Sequence, residues 1–324
     1  MTTHPAIDAA PAPAAAGTLP PVFILGAPRS GTSLLYKALC LHPGTGYISN
    51  WVRRMPSVPS LAALNRVADR WPERRRAVWF GEDGANAYVY AGRRGAAEKL
   101  FPMPVEGEPV FRRCGVPEHP HSGGAVAPPL DAAQRARLGR SFERLRRASG
   151  ARVVVNKRIA NNWRVPLLLN VFPDARFIVL TRDGRAVASS LAKVDWWPEH
   201  HMAWYGGTPV EWARAGNDPM DACALQWVHE LRWLEEGLRA VPLSQQLHLR
   251  YEELSADPLT ALDGVADFAG LPPDPRWADD LRALRYPDRN GAAWRRLEPS
   301  TLARIEALQH DELTANGYLD GGTT

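Results

Sequence analysis

Residues 21–39, PVFILGAPRSGTSLLYKAL, admit few folds: an apolar run of strand length, a short loop of small and polar residues, and a helix whose first turn is built from small polar groups. Bare backbone amides at the start of a helix form a site for an anion, because the unpaired N–H groups and the positive end of the helix point the same way. Gly26, four residues, Gly31, Thr32 and Ser33 follow the phosphate-loop spacing G-x-x-x-x-G-K-[ST] at every place but the lysine, where Thr32 stands. A nucleoside triphosphatase needs that lysine on its β- and γ-phosphates and a metal on the loop hydroxyl. Here the loop cation is Arg29, so the amides of Ser30 to Ser33 suit a single phosphate held without a metal. A plain strand-to-helix turn would need only the glycines. The VFIL run before the loop, and Leu34, Leu35, Ala38 and Leu39 at helical spacing after it, place the anion reading ahead of that one.

Two further apolar runs of strand length, in ARVVVNK (151–157) and ARFIVLT (175–181), are separated by helical stretches, the pattern of a parallel sheet covered on both faces. GYIS at 46–49 and QQLHLRYEEL at 245–254 are weaker strand candidates. Helices are expected near 60–70, 131–149, 162–172, from Gly184, over 219–240, as a pair within 258–285, and over 298–316. The predicted class is α/β, a P-loop-like parallel sheet flanked by helices with long inserted loops. One domain, 20–324, follows a disordered Ala- and Pro-rich tail, 1–19. It carries an irregular insert at about 81–129 and an aromatic lid at about 195–217.

Composition excludes several classes. With 39 basic against 35 acidic residues the net charge is +4, and the arginines are scattered, so no nucleic-acid partner is implied. No segment approaches the roughly 20 apolar residues of a membrane span. Three distant cysteines, Cys40, Cys114 and Cys223, suggest neither a disulfide framework nor a zinc site, and predict a reducing, cytoplasmic setting. Oligomeric state is not legible.

The strand ending at Thr181 runs straight into Arg182, Asp183, Gly184 and Arg185, with Ser190 eight residues after Arg182. In a parallel sheet, ligands bind beyond the carboxyl ends of the strands, which puts Arg182 on the same edge as the glycine loop. Its guanidinium can fork onto a phosphate while the Ser190 hydroxyl donates to the same group. The competing use of Arg182 is an ion pair with Asp183 or a helix cap.

With both segments in view, the chain resembles the sulfotransferases that use 3'-phosphoadenosine 5'-phosphosulfate (PAPS), especially bacterial members and the related carbohydrate enzymes. The resemblance covers about 21–316 with gaps. It rests on PRSGTS (28–33), FPDARFIVLTRDGRAVASSL (172–191), LRYEELSADP (249–258) and DRNGAAWRR (288–296). It implies that Arg29, Ser30, Gly31, Thr32 and Ser33 hold the 5' end of the donor. Arg182 and Ser190 would hold the 3'-phosphate, Tyr251 would lie by the base, and Arg289 and Gly291 would close over the phosphate. Lys157 takes the place of the family's lysine at the sulfonyl group. The implied activity moves a sulfonyl group to an acceptor hydroxyl, or less readily an amine, of a small molecule or carbohydrate, without metal. A sulfotransferase-like scaffold lacking its base and a nucleotide kinase are the rivals.

The chain also departs from the family. Cytosolic members carry a histidine base two residues past the lysine, where this chain has Ile159; they place a tryptophan after the loop, here Leu34; and their lid reads Arg-Lys-Gly, here Arg289, Asn290 and Gly291. Other branches use a glutamate lying between the two cofactor segments, which makes Glu106 and Glu108 of PVEGEPV the candidate bases. His119, His121, His200 and His201 compete on side-chain chemistry alone. Trp196, Trp197, Trp204 and Trp212 can wall an acceptor pocket or simply pack.

Overall fold

The computed structural model describes residues 19–82, 84, 95–118, 129–286 and 294–319. Strands β1 (Val22–Leu25), β2 (Thr45–Gly46), β3 (Val153–Lys157), β4 (Arg176–Thr181) and β5 (Gln246–Arg250) form one sheet in the order β2-β3-β1-β4-β5, and every neighbouring pair is parallel. The central strand owes its unbroken apolar run to cover on both sides. Phe23 and Leu25 face one core together with Val154, Phe177, Val179 and Phe142, while Val22 and Ile24 face the other with Val153, Val155, Ile178, Leu180 and Leu35. Phe23 lies 5.8 Å from Phe177 and 5.9 Å from both Phe142 and Phe172, ring centre to ring centre. Burying each such side chain contributes about 1.5–3 kcal/mol.

The register decides where function can sit. Ile24 is level with Lys157 on one side and Ile178 on the other, so β1 and β3 end within a residue of each other while β4 runs two residues past β1, and the loop at Gly26, the Lys157 side chain and Arg182 are released at one edge.

Most expected helices appear: Ala132–Ser149, Gly184–Leu191, Pro219–Leu238, Pro258–Ala269, Pro275–Arg282 and Pro299–Ala315. The stretch near 60–70 is a 3-10 turn, Pro59–Leu64, running into a short helix, Asn65–Asp69. The helix expected over 162–172 is broken into a 3-10 turn, Ile159–Trp163, and a helix, Val165–Val171, because Pro166 starts a new first turn. The 245–254 strand stops at Arg250. There Glu253 accepts the Arg250 N–H at 3.2 Å and starts the helix Tyr251–Ala256, an interaction between backbone and side chain that outweighs strand propensity. The GYIS strand is displaced to Thr45–Gly46, and Ser49 instead forms an antiparallel bridge with Pro104. Leu19, counted with the tail, donates its N–H to the Arg152 carbonyl at 3.3 Å.

The insert is less irregular than its composition suggests. Its described part carries the helices Ala96–Leu100 and Glu108–Arg113. Residues 103–105 run beside 48–50, with Asn50 N–H on the Met103 carbonyl at 3.1 Å and Val105 N–H on the Ile48 carbonyl at 2.9 Å. This docking leads the chain straight to Glu106 at the sheet edge. In the aromatic segment, Trp197 and Met202 pack on Ala188, Leu191, Cys223 and Ile305, so Trp197 serves as core, while Trp196 remains exposed.

One buried ion pair anchors the insert. Arg164 is wholly buried and donates through both terminal nitrogens to Glu108, each at 2.9 Å, with Trp163 stacked 4.8 Å from the guanidinium. Glu108→Ala leaves that cation without its partner, and should lower unfolding free energy by about 3–5 kcal/mol in urea denaturation.

Candidate active site

The glycine loop is tightly constrained on both sides. A β-carbon on Gly26, whose φ is 146°, would stand 2.4 Å from the Leu180 carbonyl oxygen, and one on Gly31, at φ 91°, would stand 2.6 Å from the Tyr251 ring. Arg29, at φ 71°, is the sole non-glycine residue in the left-handed region among the described residues. That conformation is strained, at about 1–3 kcal/mol, and persists only where neighbours over-determine it. They do so here: Arg182 Nη1–H donates to the Arg29 carbonyl at 2.7 Å, and Arg29 Nε–H donates to Ser190 Oγ at 3.0 Å. These two bonds bring Arg29, Arg182 and Ser190 together, and Asp183 is engaged by Arg185.

The loop suits an anion. Ser30 is fully buried and its hydroxyl finds no hydrogen-bond partner among the described residues. Thr32 and Ser33 are buried, and the helix Thr32–Cys40 has no acidic residue in its first turn to neutralise its positive end. Arg182 lies 4.5 Å from the centre of the Tyr251 ring, which fixes the guanidinium plane, and the Arg182 carbonyl accepts the Trp227 indole N–H at 3.2 Å. Asp183 caps the Gly184–Leu191 helix through Arg185 N–H at 2.9 Å and pairs with the Arg185 guanidinium at 2.8 Å.

Lys157 is buried at the end of β3, with Nζ 2.6 Å from Glu106 Oε1; Arg158 reaches the other oxygen at 3.3 Å. Burial alone would raise the Glu106 pKa, but the Lys157 charge and hydrogen bond, joined by Arg158, hold the carboxyl below its ordinary value. The two candidate glutamates thus separate: Glu106 faces Lys157, whereas Glu108 is engaged by Arg164 and Arg158, away from Lys157. His200 stacks on Trp197 at 5.4 Å within the aromatic segment. Arg289, Gly291, His119 and His121 lie outside the described residues.

Two residues escaped the sequence reading. Asn162 is wholly buried and grips Gly26 twice, accepting its N–H and donating to its carbonyl, each at 3.1 Å. The same amide donates to Glu230 at 2.7 Å. Glu230 is 3 % exposed, and burial pushes its carboxyl up to about 7 although Asn162, Gln226 and the Lys157 charge act in the other direction. The signal was available: Trp227, Glu230 and Leu234 share the inward stripe of the Pro219–Leu238 helix, and an acid on that stripe is out of pattern.

Comparison with known proteins bears on this site. A family model described as "Sulfotransferase family" matches residues 20–276. The omega-hydroxy-beta-dihydromenaquinone-9 sulfotransferases Stf3 of Mycobacterium bovis and Mycobacterium tuberculosis are each 25% identical over 277 residues, 78% of this chain. The matched region spans 63% of the length of these curated relatives. Among solved structures, sulfotransferase STF9 from Mycobacterium avium superposes with a TM-score of 0.54 at 16% identity, over 94% of this chain and 78% of that one. Sulfotransferase STF1 from Mycobacterium tuberculosis gives 0.51 at 17% identity, over 90% and 76%. These likenesses show that the five-stranded parallel sheet and its flanking helices are shared. Matched by the family model over most of its length, the chain belongs to the sulfotransferase family.

Proposed function

We propose that this protein moves a sulfonyl group from PAPS to an acceptor hydroxyl, less readily an amine, of a small molecule or carbohydrate. The observation that carries this reading is the 2.7 Å bond from Arg182 to the Arg29 carbonyl, because it joins a guanidinium to the amide loop at one edge of the sheet. The curated relatives are named as sulfotransferases of a hydroxylated dihydromenaquinone, which favours a hydroxyl acceptor over an amine.

In this reading the amides of Ser30 to Ser33 and the Arg29 guanidinium bind the 5' end of the donor, the orphan Ser30 hydroxyl gains its partner there, and Arg182 and Ser190 bind the 3'-phosphate beside Tyr251. Arg289 and Gly291 are proposed as the closing lid. PAPS supplies the activated sulfonyl group, and its departing phosphate gathers negative charge as the group moves. Fixed amides and cations aimed at that charge stabilise the transition state without reorganising. Lys157 serves two partners. In the ligand-free site it neutralises Glu106. When an anion enters the loop, the ammonium is drawn toward it, and the Glu106 carboxylate becomes more basic as that charge leaves. Glu106 then accepts the proton of the acceptor hydroxyl while the oxygen bonds to sulfur. Asp183 is engaged as a cap and an ion pair with Arg185, which argues against a metal-dependent kinase.

Calorimetric titration with 3'-phosphoadenosine 5'-phosphate (PAP) should show binding that does not require magnesium; magnesium-dependent ATP binding in its place would refute the reading. Arg182→Ala should weaken PAP binding by about 2–5 kcal/mol, the loss expected for a desolvated charge pair. Lys157→Ala should reduce kcat far more than PAP affinity, since its contact is with the group in transit.

Glu106→Gln should abolish turnover yet leave PAP binding equal or tighter, because Lys157 loses its competing carboxylate. A base held below the ordinary glutamate range stays ionised down to mildly acidic pH. The acid limb of kcat/KM, which reports the free enzyme, should therefore fall below about 4.3, the value for an unperturbed glutamate. A limb near 7 would point instead to a histidine or to Glu230, whose carboxyl burial pushes up to about 7.

A further inference from the structure

A single file of buried polar groups crosses the molecule behind the loop. The Trp204 indole N–H donates to Gln226 Oε1 at 2.8 Å, Gln226 Nε2 donates to Glu230 Oε1 at 2.8 Å, Asn162 Nδ2 donates to Glu230 Oε2 at 2.7 Å, and Asn162 closes on Gly26 with two bonds of 3.1 Å. Gln226, Glu230 and Asn162 are all buried, so water does not substitute for any of these partners.

Both ends of this line have a fixed polarity. An indole nitrogen only donates, so the Gln226 amide must present its oxygen to Trp204 and its NH2 to position 230. At the other end the Gly26 N–H and C=O leave Asn162 one orientation, and this again sends an NH2 hydrogen to position 230. Two donors therefore converge on residue 230 from opposite sides, and only a group with two acceptors satisfies both. An ionised carboxylate is such a group; a neutral amide of the same shape is not.

We propose that Glu230 is a positioning residue of the donor site. As a carboxylate it joins the aromatic segment, through Trp204, to the first glycine of the anion loop, through Asn162, so that the seating of one fixes the backbone of the other. The proposal rests on the donor-site reading above. Trp204 is itself placed by stacking on His229 at 4.8 Å and by edge contact with Trp212 at 5.5 Å, and Gly26 is the residue at which β1 turns into the loop. Lys157 is the charged neighbour that acts on Glu230 from β3, and its ammonium is paired with Glu106 at 2.6 Å. The helix that carries Glu230 also carries Trp227, whose indole holds the Arg182 carbonyl, so one helix steadies both anion-binding segments from behind.

E230Q keeps the shape but sets one donor against another; W204F removes the fixed donor at the far end, and lets the Gln226 amide turn its oxygen toward position 230. PAP affinity by calorimetry and thermal melting are measured for the wild type, E230Q, W204F and the double variant. E230Q should weaken PAP binding about 5- to 100-fold and lower the melting temperature, as one buried donor without an acceptor requires. W204F should have the smaller effect. The double variant should recover toward W204F, a coupling opposite in sign to additive damage. Unchanged PAP affinity in E230Q, or damage that merely adds in the double variant, would overturn the proposal. If E230Q does not fold, a folded double variant supports it and an unfolded one refutes it. A wild-type protein that fails to bind PAP would sink the donor-site reading instead, and the melting temperatures would still judge the polarity of the line.

Discussion

The bond from Arg182 to the Arg29 carbonyl ties the end of β4 to the loop after β1. Without it the left-handed Arg29 backbone would relax, and the loop amides would lose the curvature that turns them toward one point. The strain is small beside the stability of a domain, yet it is applied where a few tenths of an ångström decide whether several N–H groups converge. Parallel pairing makes the bond possible: three adjacent strands that point the same way and end within a few residues of one another need only short excursions to bring a guanidinium, an ammonium and a glycine loop together.

Around that edge the charges are arranged in opposed pairs of different kinds. Glu106 with Lys157 is partly open at the sheet edge, whereas Glu108 with Arg164 is sealed in protein, where removing either partner strands a charge. The two acids lie two residues apart in PVEGEPV and their environments divide them. Gly107, between them, turns at φ 75° and directs Glu108 inward as the first residue of a helix, leaving Glu106 at the sheet edge.

Those parts of the site that depend on contiguous residues were readable from the sequence. The loop, the strand before it and the segment from Arg182 to Ser190 each carry their geometry in local spacing, and parallel pairing of apolar runs follows from their continuity. What could not be read were contacts between distant elements: the bond from Asn162 to Gly26, the packing of residues 103–105 beside 48–50, and the different partners of Glu106 and Glu108. The short corrections have the same origin. The expected strand at 245–254 ends at Arg250 because Glu253 reaches back to a backbone N–H, and the 162–172 helix divides at Pro166; both are effects of single groups that an average over a window conceals.

Gly31 and Tyr251 meet at a distance that leaves no space for even a methyl group, and the same ring packs against the cation of Arg182. Any side chain at position 31 would have to displace the tyrosine, and with it the ring against which the guanidinium that holds the loop is packed. A bare α-carbon near the start of the chain and an aromatic residue more than two hundred positions later therefore act as one steric unit: a substitution that enlarges the first would need a smaller second before the loop could regain its shape.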